Sequence, residues 1–369
     1  MPAKSFDDLT QHYNHDELAW ESYVLSLKLH INMDMADGLK TVYERNAVPA
    51  FAKANGRLPK NRHEIRHQML QEDYFQVWGS LWRTAQHLMW QGVETSLDRQ
   101  LPELNERARV GSRALGSLTL DPDLDVPRYV TAVNIHEQPG GYGYDLGEGD
   151  VSAGVFYDGA SRIYGRGQGI MGSAHPADSV IAYLRENYPD LKPEMILDEG
   201  CSTGGSTPVY AAVFPDAEIH AIDVSAGMLR YGHGKMEALG IPVHFSQQTA
   251  ERTRFEDESF DLIVSNIMLH ETSAKAFPNI MRECHRILKP GGVMVHMDVP
   301  LRNKDLDPYT EWYRDWSTHF NNEPFWGKLH DMDVMDPIVK AGFSQTKAFD
   351  VYLPGRTGDR QWWACGAQK

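Results

Sequence analysis

A chain of 369 residues is long for one domain and comfortable for two. Hydrophobic residues at 41% and charged residues at 24% are ordinary for a soluble globular protein, which excludes a disordered or membrane class. The formal net charge of −15 argues against a broad nucleic-acid footprint, because phosphate binding needs clustered Lys and Arg, and leaves a small molecule as the expected substrate.

No apolar run approaches the roughly 20 residues of a bilayer span, and the polar start of the chain lacks a signal peptide's apolar segment, so a cytoplasmic protein without membrane attachment is expected. Cys201, Cys284 and Cys365 lie far apart and form no CxxC pair, which leaves no zinc ribbon and no disulfide framework to expect.

Residues 1–120 read as a helical N-terminal domain. Trp20, Val24, Leu27 and Ile31 fall at helical spacing, as do Phe75, Trp78 and Trp82, and both sets are expected to be core. Asn55-Gly56 with Leu58-Pro59 mark one helix break and Leu101-Pro102 another. Apolar helices ahead of the rest of the chain could also serve a homodimer.

Within this region His63, Glu64 and His67 match the zinc-hydrolase pattern H-E-x-x-H, in which two histidines one helical turn apart hold the ion and the glutamate activates its water. Arg66 between the histidines and Arg62 before them place cationic charge beside any dication. A solvated helix face is therefore expected, and no metal.

Residues 121–172 read as a linker followed by a Gly/Tyr-rich hairpin. Asp158-Gly159 between two β-compatible runs is a two-residue hairpin signal. The hairpin either bridges the domains or forms a flap that brings Tyr157, Tyr164 or Arg166 over an active site.

From residue 173 to 369 the pattern becomes α/β. A helix after Pro176 carries Val180, Ile181 and Leu184, and strands are expected over 195–197, 218–222, 243–246, 262–265, 293–298, 345–352 and 361–366. Single intervening helices imply a mostly parallel Rossmann-like sheet, with the last two strands an antiparallel hairpin. An aromatic insertion after the fifth strand carries Trp312, Trp316, Phe325 and Trp326, placed to wall a substrate pocket.

The stretch 195–205 (MILDEGCSTGG) reads as a buried strand that turns at glycines into a helix, and the second strand ends in Asp223, whose carboxylate can accept the hydroxyls of a ribose. A dinucleotide site would need the middle glycine of G-x-G-x-x-G, which Gly200 to Gly205 lacks.

Four motifs, 196–204 (ILDEGCSTG), 221–229 (AIDVSAGML), 260–266 (FDLIVSN) and 286–292 (RILKPGG), resemble in order and spacing the class I S-adenosylmethionine-dependent methyltransferases of the small-molecule branch. The resemblance covers roughly residues 160–369 and implies S-adenosyl-L-methionine as cofactor. It implies that Asp198, Gly200 and Gly204 surround the cofactor's methionine part, with Ser202 among the cofactor-binding residues of the same turn, and that Asp223 holds the ribose. Met228 would cover the adenine, Thr249, Ala250 and Glu251 would border its edge, and Asn266 would lie near the amine. Ser202 stands where the family usually has glycine, and Thr249 where it often has aspartate. His270 followed by Glu271 resembles the place where plant-type O-methyltransferases carry a His and an acidic residue, which makes the pair the candidate base and its support. The implied activity is methyl transfer to an apolar or aromatic small molecule; a protein-directed enzyme and a cofactor-binding regulator remain open.

Overall fold

The computed structural model of the chain describes residues 9–167, 175–299, 306–354 and 361–369. Eight strands form one sheet: β1 (Ser117–Thr119), β2 (Met195–Glu199), β3 (Glu218–Asp223), β4 (His244–Gln247), β5 (Phe260–Asn266), β6 (Leu288–Asp298), β7 (Ala348–Pro354) and β8 (Gln361–Gln368). Their order is β1-β4-β3-β2-β5-β6-β8-β7; β8 runs antiparallel to both β6 and β7, and the other pairings are parallel. The seven expected strands are thus present as β2 to β8. The turn expected between the last two falls on residues 355–360, outside the described residues.

Buried Ile, Val, Leu and Phe of the central strands pack on both faces of the sheet, against the helices Pro176–Asn187 and Ala226–Leu239 on one side and Ala276–Ile287 on the other. The strand order reverses between β2 and β5, so a crevice opens beyond the carboxyl ends of the strands at that point.

β1 corrects the expectation of an all-helical 1–120. It pairs parallel with β4, Ser117 opposite His244, as a three-residue edge strand with one half-buried side chain, Leu118, which leaves no apolar alternation to read. The break expected at Leu101-Pro102 is also absent: one helix runs Asp73–Ala108 straight through Pro102. Proline removes a backbone hydrogen bond there, but Leu97, Leu104 and Ala108 on either side are buried against neighbouring helices, and that packing holds the helix together.

The Asp158-Gly159 hairpin is not formed. Residues Ser152–Gly167 are a helix whose buried Val155, Phe156, Ala160 and Ile163 follow a helical period. Gly159 serves close packing rather than a turn: a Cβ there would lie 2.3 Å from Oε1 of Gln11 and 2.9 Å from Cγ1 of Val93. The boundary expected at residue 173 lies outside the described residues.

The aromatic insertion forms the helices Pro308–Arg314, Trp316–Phe320 and Trp326–Asp331. Its rings complete the core of the N-terminal helices: Trp316 stacks on Trp82 at 4.3 Å, and Trp312 and Phe320 lie 5.2 and 5.5 Å from Phe75. Beside them the Arg62 guanidinium, only 4% exposed, bonds Asp315 (3.1 Å), Glu311 (2.8 Å), Asp331 (2.8 Å) and the Gly327 carbonyl (2.9 Å). The N-terminal helices and the insertion, far apart in sequence, are therefore one packed unit. No helix among the described residues is long and apolar enough to cross a membrane.

Candidate active site

A cavity of about 580 Å³ lies beyond the carboxyl ends of β2, β3 and β5. Its floor is the turn after β2. Gly200 and Gly204 take φ of 64° and 72°, and between them Ser202 takes 50°, a left-handed conformation uncommon for a residue with a side chain. Gly200 is also required by space, since a Cβ would lie 2.3 Å from Cγ of Met268. The turn sends the Ser202 N–H to Oδ2 of Asp223 (3.0 Å), whose Oδ1 accepts from the Ser225 N–H (2.9 Å). Each carboxylate oxygen has a further lone pair, so the carboxylate keeps acceptor capacity for two hydroxyls. Burial raises the Asp223 pKa, and the backbone N–H groups oppose that rise only in part.

Asp198 is buried, accepts from Thr207 Oγ1 at 2.8 Å, and is pushed up by burial to about 7. Met228 is buried with its sulfur 3.1 Å from Ser202 Oγ. Asn266 at the end of β5 is paired with the Tyr210 hydroxyl. Asp198, Gly200, Ser202, Asp223, Met228, Thr249, Ala250, Asn266, Glu271 and Tyr157 all line the cavity. Gly204 turns the chain behind the wall. Glu251 is also set back, bonded to the Tyr129 hydroxyl (3.1 Å) and Asn279 (2.7 Å). Cys201 lines the wall, but burial holds its thiol well above its ordinary pKa, so it remains a neutral filler.

The roof comes from the helix Ser152–Gly167 and the Gly/Tyr-rich segment before it. Asp158 clamps that helix to the floor, accepting from Thr203 Oγ1 (2.7 Å) and Lys235 Nζ (2.7 Å). Tyr157 and Tyr142, their rings 6.3 Å apart, face the cavity with Glu271, and Tyr13 and Tyr129 lie farther along its wall. Burial first, then the Glu271 charge, raises both the Tyr142 and Tyr157 pKa values, so these phenols stay neutral donors.

Other expected pocket residues lie elsewhere. Trp312 and Trp316 belong to the helical core described above, Arg166 pairs with Glu21 (3.6 Å), and Tyr164 accepts from Asn321 (2.6 Å) behind the wall. Phe325 packs on Tyr129 and Trp326 on His270, at 6.0 and 5.0 Å. His63 is 64% exposed, and Glu64 is occupied by Arg57 (2.6 Å) and the Lys60 N–H (2.8 Å), so this helix assembles no ligand set.

His270 stands behind Glu271, not in the cavity wall. Its Nδ1 faces Oδ1 of Asp298 at 2.6 Å, and its Nε2 faces Oε1 of Glu271 at 3.2 Å. On the other side His136 places Nε2 2.9 Å from the same Glu271 oxygen and Nδ1 3.0 Å from Glu323. Burial lowers the His270 pKa, but Asp298 and Glu271 outweigh it and raise it well above the ordinary imidazole value; an imidazolium has no lone pair with which to act as a base. Burial likewise opposes the Glu271 charge, and the two imidazoles outweigh it, holding Glu271 ionised.

Sequence reading did not single out Tyr142, His136 and Glu323. The only local signal was the Gly/Tyr richness around residues 136–145.

Residues 196–292 match the family model described as a methyltransferase domain. A malonyl-(acyl-carrier protein) O-methyltransferase of Methylococcus capsulatus is 31% identical over 144 residues, which cover 38% of this chain and 46% of the relative. A ubiquinone/menaquinone biosynthesis C-methyltransferase of Pasteurella multocida is 30% identical over 141 residues, 37% of this chain and 50% of the relative. The chain thus spans about half the length of these curated relatives. A solved SAM-dependent methyltransferase from Aquifex aeolicus overlaps 52% of this chain and 88% of its own at 20% identity and a TM-score of 0.36. With the glycine turn, the Asp223 carboxylate and the reversed strand order already in place, the region is a class I S-adenosylmethionine-dependent methyltransferase domain, and S-adenosylmethionine is its cofactor.

Proposed function

We propose that the protein transfers the cofactor's methyl group to a small molecule with an apolar or aromatic body, received in the tyrosine-lined end of the cavity. The observation that carries this reading is that one cavity runs without interruption from Asp223 and the glycine turn to Tyr142, Tyr157 and Glu271. When bound, the cofactor supplies an electrophilic methyl group on a sulfonium.

In this reading Asp223 orders the ribose, Met228, Thr249 and Ala250 border the adenine, and Asp198, Gly200 and Asn266 border the amino-acid end. Enclosure by the roof helix excludes water and aligns the acceptor, and such positioning contributes up to about 7–11 kcal/mol in favourable cases. Glu271 is the one carboxylate of the His270 group on the cavity wall, held by Tyr142 at 3.0 Å, and is the group that meets the acceptor's polar end; His270 positions it. The family match lies in the floor, whereas Tyr142 and Tyr157 precede it, so the relatives' own acceptors do not transfer.

Incubation of the full chain with methyl-labelled cofactor and a panel of phenols, quinols, carboxylates, amines and a carrier-tethered acyl group tests the reading. Label should enter a free small molecule. Label entering only the carrier-tethered acyl group or other proteins would replace this reading with a protein-directed one, and a folded, cofactor-binding chain that labels nothing would make it a regulator.

A further inference from the structure

We propose that His136, His270 and Glu271 bind a divalent transition-metal ion at the acceptor end of the cavity. Nε2 of His136 and Nε2 of His270 converge on Oε1 of Glu271, at 2.9 and 3.2 Å, and all three atoms lie within 4.8 Å of one another; the ion would displace the Nε2 protons that face Glu271 in its absence, releasing them to solvent. An ion bonded to nitrogen and oxygen ligands at about 2.0–2.2 Å keeps neighbouring ligand atoms roughly 3.0–3.5 Å apart, a range that the two N–O distances already approach.

Three further observations are independent of that spacing. First, the other nitrogen of each ring faces a buried carboxylate: Asp298 on Nδ1 of His270 at 2.6 Å, Glu323 on Nδ1 of His136 at 3.0 Å. Carboxylates placed on the far nitrogen orient metal-binding histidines and raise their basicity. Asp298 is itself fixed by the His270 and Val299 N–H groups, at 3.0 and 2.6 Å.

Second, Oε2 of Glu271 and Oε2 of Glu323 are buried without a hydrogen-bond partner among the described residues. Glu323 is 1% exposed, and its free oxygen points toward Nε2 of His270 at 3.7 Å. Buried acceptors left open are costly unless something positive occupies the space between them. Third, His136 and Glu137 hold consecutive left-handed backbone conformations, φ 58° and 56°. Trp90 Nε1 donates to the His136 carbonyl at 2.7 Å and keeps it there, so strain is maintained where it aims the ring.

Two imidazoles and a carboxylate suit Zn²⁺, Fe²⁺ or Co²⁺ better than Mg²⁺, which favours all-oxygen shells. Glu271 lines the cavity, so an ion there would take an oxygen donor of the acceptor; that consequence rests on the proposed methyl transfer, whereas the ion's binding does not. A second buried group, Glu199, Cys284 and His296, has comparable residue types and no such character. Burial pushes Glu199 up to about 8 and His296 down to about 4, which leaves a neutral cluster, and Glu199 and His296 have no unpartnered oxygen or nitrogen.

Titration of the chelator-treated full chain with Co²⁺ tests the site. One equivalent should bind with visible d–d absorption. His136→Ala and Glu271→Gln should weaken binding more than tenfold, and Asp298→Asn about tenfold to a hundredfold. The His63→Ala/His67→Ala double variant should bind as wild type. If His136→Ala does not fold, ring ¹⁵N shifts of the wild-type chain on adding Zn²⁺ must move for two histidines. No saturable Co²⁺ or Zn²⁺ binding by folded wild type, or binding unaffected by His136→Ala, would overturn the proposal. Cofactor affinity measured on the same samples reports separately on the methyltransferase reading.

Discussion

The floor and the roof of the cavity are built by different physical means. The floor is main chain: a glycine turn, strand ends and one carboxylate held by two backbone N–H groups. The roof is side chain, with tyrosines and histidines on segments that come from distant parts of the sequence; Asp158 clamps its helix, which packs on the N-terminal helices that Arg62 and stacked indoles lock to the insertion. A main-chain floor tolerates many sequences and suits a shared cofactor. A side-chain roof changes with each substitution and suits selection of one acceptor.

Breaking the unit on which the roof rests should have the largest effect. Arg62→Met leaves Asp315, 6% exposed, as a buried charge without its guanidinium partner, and losing one member of a buried ion group costs about 3–5 kcal/mol. Thermal unfolding should show the N-terminal helices and insertion melting early. A melting temperature equal to wild type would mean the aromatic stack alone holds the helices and insertion together.

Next comes a change confined to the floor. Gly200→Ala asks a side chain to adopt φ 64° and displaces Met268, at a cost of about 1–3 kcal/mol. Cofactor affinity should fall while the roof's near-ultraviolet signal stays unchanged; a loss of that signal would mean floor and roof are not separable.

How much of this was legible follows the same division. The floor's signals are local: β2, its glycine turn, Asp223 and β5 each sit within a few residues of an apolar run, so pattern and spacing found them. The roof's contacts join residues far apart in the chain, such as His136 with Glu271 and Asn321 with Gln86, and no local period records them. Asp158-Gly159 misled because a packing glycine and a turn glycine look alike in sequence. Trp312 and Trp316 misled because an aromatic run does not say which of two apolar neighbours it faces. β1 escaped because three edge residues carry no alternation.

A smaller effect separates the roof's own interior from its surface. Lys28 is buried, donating to Gln86 of the long helix, 3.4 Å from the Met89 sulfur and 4.9 Å from the Tyr164 ring of the roof helix. Burial lowers its pKa to about 7, far below its unfolded value. The unfolded chain therefore binds more protons between pH 7 and about 10, and stability rises with pH across that window. The cost of the buried charge is full below pH 7 and gone above the unfolded pKa. Lys28→Met should accordingly stabilise the protein more at pH 6 than at pH 10; equal shifts in melting temperature at both would mean that folding leaves the Lys28 pKa unshifted. Smallest of all, the His63→Ala/His67→Ala double variant should change neither melting temperature nor turnover beyond error, and loss of activity there would reopen the zinc-hydrolase pattern.

Calorimetric titration of the full chain with S-adenosylmethionine, wild type beside Asp223→Ala, tests the central claim most directly. The account predicts one cofactor per chain for wild type. For the folded variant it predicts a loss of at least about tenfold, since hydrogen bonds to a charged group are worth roughly 1.5–3 kcal/mol. A folded wild-type chain that binds no cofactor, or an Asp223→Ala chain that binds it equally well, would contradict it.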